Sequence, residues 1–352
     1  MSARSSTPDV LLLAPDNFTP PSRTPWGGRR IASVYKRALD LRVEGPVGES
    51  WEVSAGPEFP SRLDGSPRTL ADAIAQDPDG VVGREASRGG TALLVKLLDA
   101  AEPLSVQIHP EDTFAGLAPD ESGKPESWYI AHAEPGAGIY LGLAPDATPA
   151  SMERALTTEG DVSKLLGFIP VGVGDFFVVE AGTAHAIGAG VTLVEPQIVL
   201  PGRKGVTYRY WDWNRRYDDQ GRASPSGKPR ALHVAQALAV TDWSRARGEA
   251  FLREVRVSRG VPDPYAPLAL EPLCAREGAP LRSKHLEVSR LAGSGGLTLR
   301  ASDRMRAVTV LEGALTLGGV TVTGGRSAVI AAGAGDLALK AEGVHAVIAS
   351  VA

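Results

Sequence analysis

The chain is expected to be mainly β, a sandwich or barrel with a few short helices. Three observations carry that expectation. Apolar segments are short; glycine (40) and proline (27) recur between them as punctuation; and several segments alternate polar and apolar residues with the two-residue period of a strand. Hydrophobic residues make up 43% of the chain and charged ones 22%, which suits a packed globular protein rather than a disordered one. At 352 residues it can hold two domains, or one large β-rich unit with a second module.

The first ten or so residues read as a loose tail. From Pro15 to about Arg62 short apolar strands alternate with Pro/Gly turns. Residues 66–75 form a short helix, with Leu70 and Ile74 four apart on one face. Strands follow over 91–142. Residues 150–166 are the clearest helical stretch, with Met152, Leu156 and Val162 near one face and Thr148 or Ser151 as cap. Residues 168–195 return to strand, and 208–213 are half-buried and aromatic. A polar surface loop over 216–228 precedes a short helix over 231–238. From about Phe251 the chain becomes Gly/Ala/Val/Leu-rich strand. It carries a faint repeat: Gly174 to Gly182 has a counterpart in Gly325 to Gly333, with Asp336 where the first copy has His185.

Composition excludes several classes. A net charge of −4 without a basic block argues against nucleic acid as partner, though a few local cations can still hold a phosphate-bearing metabolite. The single cysteine, Cys274, has no partner for a disulfide or thiolate cluster and reads as a small buried residue. No apolar run reaches membrane-spanning length, and the run Val10 to Ala14, broken by Pro15, is too short for a signal segment. A cytoplasmic location is the expectation.

The chemistry concentrates in three segments. In Ser105-Val106-Gln107-Ile108-His109 the polar residues alternate with apolar ones, so a strand would line one wall with the first set and pack the second behind. Pro110 ends that strand. Lys124 and Glu126 stand two apart before the apolar Trp128-Tyr129-Ile130, and His185 follows the strand-like 176–179. Gln107, His109, Glu126 and His185 make an O/N ligand set suited to a borderline divalent ion such as zinc. Each also has an ordinary reading as a satisfied structural or solvated side chain, and spacing alone leaves both open.

These segments strongly resemble type I mannose-6-phosphate isomerase (phosphomannose isomerase), a zinc-enzyme family of the cupin superfamily. The blocks are Leu93 to Ala100, Pro103 to Pro110, Gly123 to Tyr129, Ala181 to Gly190 and Thr207 to Arg215, in family order, with weaker matches at Trp26-Gly27-Gly28 and Gly48 to Ser54. The resemblance implies two jelly-roll (cupin) barrels: residues 10–248 catalytic, with a helical insertion near 150–166, and residues 249–352 a degenerate copy without metal. It implies one zinc per chain on Gln107, His109, Glu126 and His185, and interconversion of mannose 6-phosphate and fructose 6-phosphate through an enediolate. Glu195, Arg209 and Lys124 match the catalytic candidates; Lys96, Ser105 and Arg209 match positions that hold the phosphate or sugar. A small phosphorylated hexose is the expected partner, and a monomer or weak homo-oligomer the expected state. One departure stands out. The segment between Glu195 and Arg209, Pro196 to Val206, is longer than the family's and poorer in Gln, Ser, Thr and Asp. A sugar-binding cupin without activity, or an iron oxygenase on His109, Glu126 and His185, remain alternatives.

Overall fold

The computed structural model describes residues 7–158, 160–219 and 221–352; most of the expected N-terminal tail, one residue of the 150–166 helix and one of the 216–228 loop lie outside them. Among the described residues the chain is mainly β with few helices. Three large sheets form its layers. A five-stranded front sheet, a six-stranded middle sheet and an eight-stranded back sheet hold all but one short strand pair.

The alternation of side chains along each strand decides what lies between the layers. From the middle sheet Leu98, Trp128, Ile130, Phe177 and Leu193 turn forward and pack with Ile139, Leu141 and Ile187 of the front sheet. Their strand neighbours Val95, Leu97, Tyr129, Phe176 and Val194 turn the other way, against Leu286, Val288, Ala307, Val347 and Ala349 of the back sheet. The front sheet's outer face, including Val106, Ile108 and Tyr210, is covered by Met152 and Ala237 from two short helices, Pro149–Thr157 and Val234–Val240. Both spaces between the layers hold large apolar clusters, which is why so many strands read as continuous apolar runs.

The expected pair of jelly-roll barrels is borne out only in part: the fold is mainly β, but its sheets do not close into barrels. The front and middle sheets are open and pack face to face as a sandwich. The back sheet is built on three long strands, Leu286–Leu299, Arg306–Leu317 and Leu337–Val351. Pairing shifts register at Gly293/Gly295 and around Gly313, where positive φ lets the strands bend. A Cβ on Gly313 would lie 2.2 Å from the Gly343 carbonyl oxygen, so no larger residue fits that crossing. The bent strands enclose their own core, with Val308 and Val310 from one side of the bend beside Leu315 and Leu317 from the other.

The repeat is structural. Asp175–Val179 and Ser327–Ile330 both follow a glycine of positive φ, Gly174 and Gly325. Each pairs antiparallel with a longer strand before it in the chain, Glu126–Ala133 in one case and Arg306–Leu317 in the other. Asp336, which stands where the first copy has His185, accepts from Arg300 and the Ala301 amide at the surface.

Two local expectations also change. The 150–166 helix stops at Thr157, and a separate turn of 3-10 helix runs from Val162 to Leu165. Its start is well defined: Thr148 and Ser151 cap one another's backbone, and Pro149 occupies the first turn. Its early end falls near Gly160, a poor helix former. Between Pro15 and Arg62 only Glu49–Val53 forms a strand; proline and glycine leave the rest as turns and short helical turns. No helix among the described residues is long and apolar enough to cross a membrane.

Buried polar contacts also bridge the middle and back sheets, among them Tyr129 Oη to His345 Nε2 at 2.8 Å. Burial, then the charge of Arg290, pushes the His345 imidazole down to about 4. An unfolded histidine titrates near 6.5, so between these values the unfolded chain binds the extra proton and stability falls as pH is lowered. His345→Gln should flatten that part of the profile, read from urea midpoints at about pH 7 and about pH 4.5. An equal loss in both proteins would place the acid sensitivity elsewhere.

Candidate metal centre and adjoining cavity

Three side chains converge between the front and middle sheets. His109 lies one residue beyond the strand Val106–Ile108, His185 opens the strand His185–Ile187, and Glu126 opens the strand Glu126–Ala133. Pro110 and Pro125 flank two of them, so strand ends rather than strand centres supply the groups. The Nε2 atoms of His109 and His185 stand 3.4 and 3.3 Å from the two carboxylate oxygens of Glu126. One potential ligand atom from each lies within 4.8 Å of the others, and all three residues are buried.

The hydrogen bonds around them leave the facing atoms open. His109 Nδ1 donates to the Val206 carbonyl at 2.9 Å, and His185 Nδ1 to the Thr183 carbonyl at 2.8 Å. Each ring therefore carries its proton on Nδ1 and turns the Nε2 lone pair inward. Both rings are neutral: burial lowers His109, helped by the Lys124 charge, and takes His185 down to about 3. Glu126 Oε2 accepts from Gln197 Nε2 at 2.9 Å and faces Lys124 Nζ at 3.2 Å. Burial pushes the Glu126 carboxyl up, but the Lys124 charge beside it outweighs this and holds it well below the usual carboxylate range. His109 Nε2, His185 Nε2 and Glu126 Oε1 are buried without a hydrogen-bond donor or acceptor. Three orphaned lone pairs aimed at one point are costly unless a cation occupies it. The donor set fits a divalent ion that takes nitrogen and oxygen.

Gln107 is half-buried and lines the cavity beside this cluster. Sheet pairing sets it opposite His185 on one side and Arg209 on the other, so the three share the inner face. Val106 and Ile108, between the polar positions, are buried on the outer face. The cavity has a volume of about 750 Å³, and Lys96, Ser105, Lys124, Glu195 and Arg209 also line it. Thus the segment 196–206 does not separate Glu195 from Arg209. Its first three residues continue the strand Val191–Ile198 through Pro196, and Lys204–Gly205 pairs with Glu121–Ser122.

Glu195 faces Lys96 across the middle sheet and accepts from Trp128 Nε1 at 3.0 Å. Burial, then the nearby Glu126 charge, pushes its carboxyl up to about 8. Lys124 feels the opposite balance. Burial favours its neutral form, but Glu126 and Glu195 more than offset this and keep the ammonium charged. Lys96 lies over the Trp51 ring, 4.4 Å from its centroid, and 3.7 Å from Glu49 Oε2. Arg209 Nε donates to Ser105 Oγ at 3.1 Å.

Sequence reasoning missed Gln197, Glu49 and the indole of Trp128, which it read only as part of an apolar run. Gln197 was within reach, two residues beyond Glu195 on the same strand face, but the expected strand region stopped at residue 195. The bond from Trp128 to Glu195 had no sequence signal, because it depends on how two strands align.

Residues 22–139 match the family model described as the phosphomannose isomerase type I catalytic domain. The chain resembles the type I phosphomannose isomerases. The mannose-6-phosphate isomerase of Streptococcus mutans is 36% identical over 217 residues, 61% of this chain and 63% of that protein. The mannose-6-phosphate isomerase ManA of Bacillus subtilis is 36% identical over 151 residues, 43% of this chain and 44% of that one. These matches thus span less than two thirds of the length of either isomerase. The crystal structure of the mannose 6-phosphate isomerase from Bacillus subtilis superposes with a TM-score of 0.73, covering 97% of this chain and 99% of that one at 23% identity. That likeness extends the shared fold to the whole length.

Proposed function

We propose that the chain is a zinc-dependent aldose–ketose isomerase that interconverts mannose 6-phosphate and fructose 6-phosphate through an enediol or enediolate. The observation that carries this is the trio of orphaned ligand atoms, His109 Nε2, Glu126 Oε1 and His185 Nε2, beside a cavity that also holds titratable groups and cations. His109, Glu126 and His185 would hold the zinc, with Gln107 as fourth ligand. When bound, the ion supplies Lewis-acid stabilisation of negative charge developing on substrate oxygens.

The chain's own groups do the rest. The reaction moves a proton between C1 and C2, which needs an acid/base group that titrates near the working pH. Glu195, raised to about 8, meets that requirement and receives a fixed hydrogen bond from Trp128 that orients it. Lys124 stays charged and serves as a donor to substrate oxygens. Ser105, Lys96 and Arg209 orient the phosphorylated sugar. Residues 10–248 form the catalytic domain in this reading, and residues 249–352 a metal-free support.

Metal analysis of the purified protein, followed by an assay on mannose 6-phosphate, tests the proposal. One zinc per chain and fructose 6-phosphate formation are expected; oxygen uptake with bound iron would replace it by the oxygenase. Unphosphorylated mannose should react on the order of a few hundredfold more slowly, since two charged hydrogen bonds to the phosphate are lost. Equal rates on the two sugars would exclude a phosphate site.

A further inference from the structure

The cations that line the cavity fall into two groups with different surroundings. Lys96 and Lys124 each face a carboxylate, Glu49 at 3.7 Å and Glu126 at 3.2 Å, and Glu195 stands on the same wall. A phosphate dianion placed there meets three carboxyl groups and only two ammonium groups. The other group lies where the strand Tyr208–Trp211 meets the segment before the helix Val234–Val240. Arg209, Arg230 and His233 all line the cavity there.

The hydrogen bonds of this second group assign its remaining donors. Arg209 donates through Nε to Ser105 Oγ and through Nη1 to the Ala231 carbonyl at 2.9 Å, which leaves Nη2. Arg230 holds the buried Asp212 through Nε at 2.6 Å and Nη2 at 2.8 Å, which leaves Nη1. Its guanidinium also lies over the Tyr217 ring, so its direction is fixed from two sides. His233 Nδ1 accepts the Arg209 amide at 3.1 Å, and the His233 amide donates back to the Arg209 carbonyl at 2.8 Å. With Nδ1 accepting, a neutral His233 must carry its proton on Nε2, a donor. Asp212 also pairs with Arg215, which in turn meets Glu102. Three arginines therefore surround two carboxylates, and one positive charge is left over at the edge of the cavity.

We propose that Arg230 and His233 join Arg209 and Ser105 as the phosphate-holding end of the cavity. Asp212 positions the Arg230 fork, and the paired backbone bonds of His233 fix its ring beside Arg209. The ligand class is a phosphate monoester. The sugar part of the assignment rests on the isomerase reading; the anion subsite does not. It follows that Arg209 holds substrate and that Glu195 is left for proton transfer.

The test uses inorganic phosphate on the metal-loaded full-length protein, by calorimetry and as an inhibitor of mannose 6-phosphate turnover. Arg230→Met should weaken phosphate binding and raise KM for mannose 6-phosphate by roughly tenfold or more, with kcat changed by less than about threefold. His233→Phe should weaken phosphate roughly threefold to tenfold, the loss of one neutral donor. Arg230→Lys keeps a cation against Asp212 but not the planar fork, and should fall between wild type and Arg230→Met. Wild-type phosphate affinity in Arg230→Met, or in both other variants where Arg230→Met does not fold, overturns the subsite while leaving the isomerase reading intact. Phosphate binding that depends on Arg230 in a protein that never isomerises the sugar supports the subsite and removes the isomerase reading.

Discussion

His185→Ala should abolish metal binding at the zinc concentrations that saturate the wild type, and turnover with it. The ring is fully buried, and its Nε2 is one of three atoms that face the same point without any other partner. Alanine removes one ligand outright and leaves Glu126 to face Lys124, Gln197 and His109 alone. Changes to groups that merely orient a ligand cost 10–100-fold in affinity or activity, so loss of a ligand itself should exceed about a hundredfold. The fold should survive, because the strand pairing around position 185 runs through the backbone. The measurements are zinc content after dialysis, turnover of mannose 6-phosphate, and the near-ultraviolet circular dichroism spectrum. A folded variant that retains one zinc per chain would remove His185 from the site.

Lys36→Met should produce the largest loss of stability. Lys36 Nζ is 2.7 Å from Glu52 Oε1 and donates to the Pro15 carbonyl at 2.7 Å, with both side chains almost wholly buried. Glu52 Oε2 in turn accepts from Ser327 Oγ at 2.8 Å, in the back sheet. Removing the ammonium leaves a carboxylate buried with one hydroxyl donor. Breaking a buried pair from one side costs about 3–5 kcal/mol, whereas replacing both partners by apolar groups is often close to neutral. Lys36→Met/Glu52→Leu should therefore recover most of the loss. Urea midpoints of the three proteins decide it: equal losses in the single and double variants would mean that packing, not the stranded charge, sets the cost.

Much of the local pattern was legible in the sequence. The alternation over Ser105 to His109 separates cavity-lining residues from buried ones, and the glycine-spaced repeat marks two strands with the same pairing. The capping pair Thr148 and Ser151 marks a helix start, although not the end. What could not be read was the arrangement between strands. Gln197 beside Glu126, Trp128 beside Glu195 and Arg230 beside Asp212 each depend on sheet register or on a loop's return path, and local sequence encodes neither. The same holds for the two jelly-roll barrels that were expected. Strand composition gives faces, while closure depends on which edges meet. Lys36 carried no signal at all, since a lone lysine among Pro/Gly turns reads as a surface charge.

The pairing of Val10–Leu12 with Ser327–Ile330 has a consequence for how the protein is made. On the ribosome, every residue of the proposed site has emerged once His233 is out. The first strand must still wait for the partner that comes nearly last. Until then the cluster that holds Tyr129, Phe176 and Val194, on the rear of the middle sheet, lacks Val329, Val347 and Ala349. Apolar surface left open during synthesis favours aggregation and chaperone binding. Folding to the active form is thus governed by arrival of the back sheet, and a nascent chain stalled between Val240 and Ser327 should be held by chaperones rather than active.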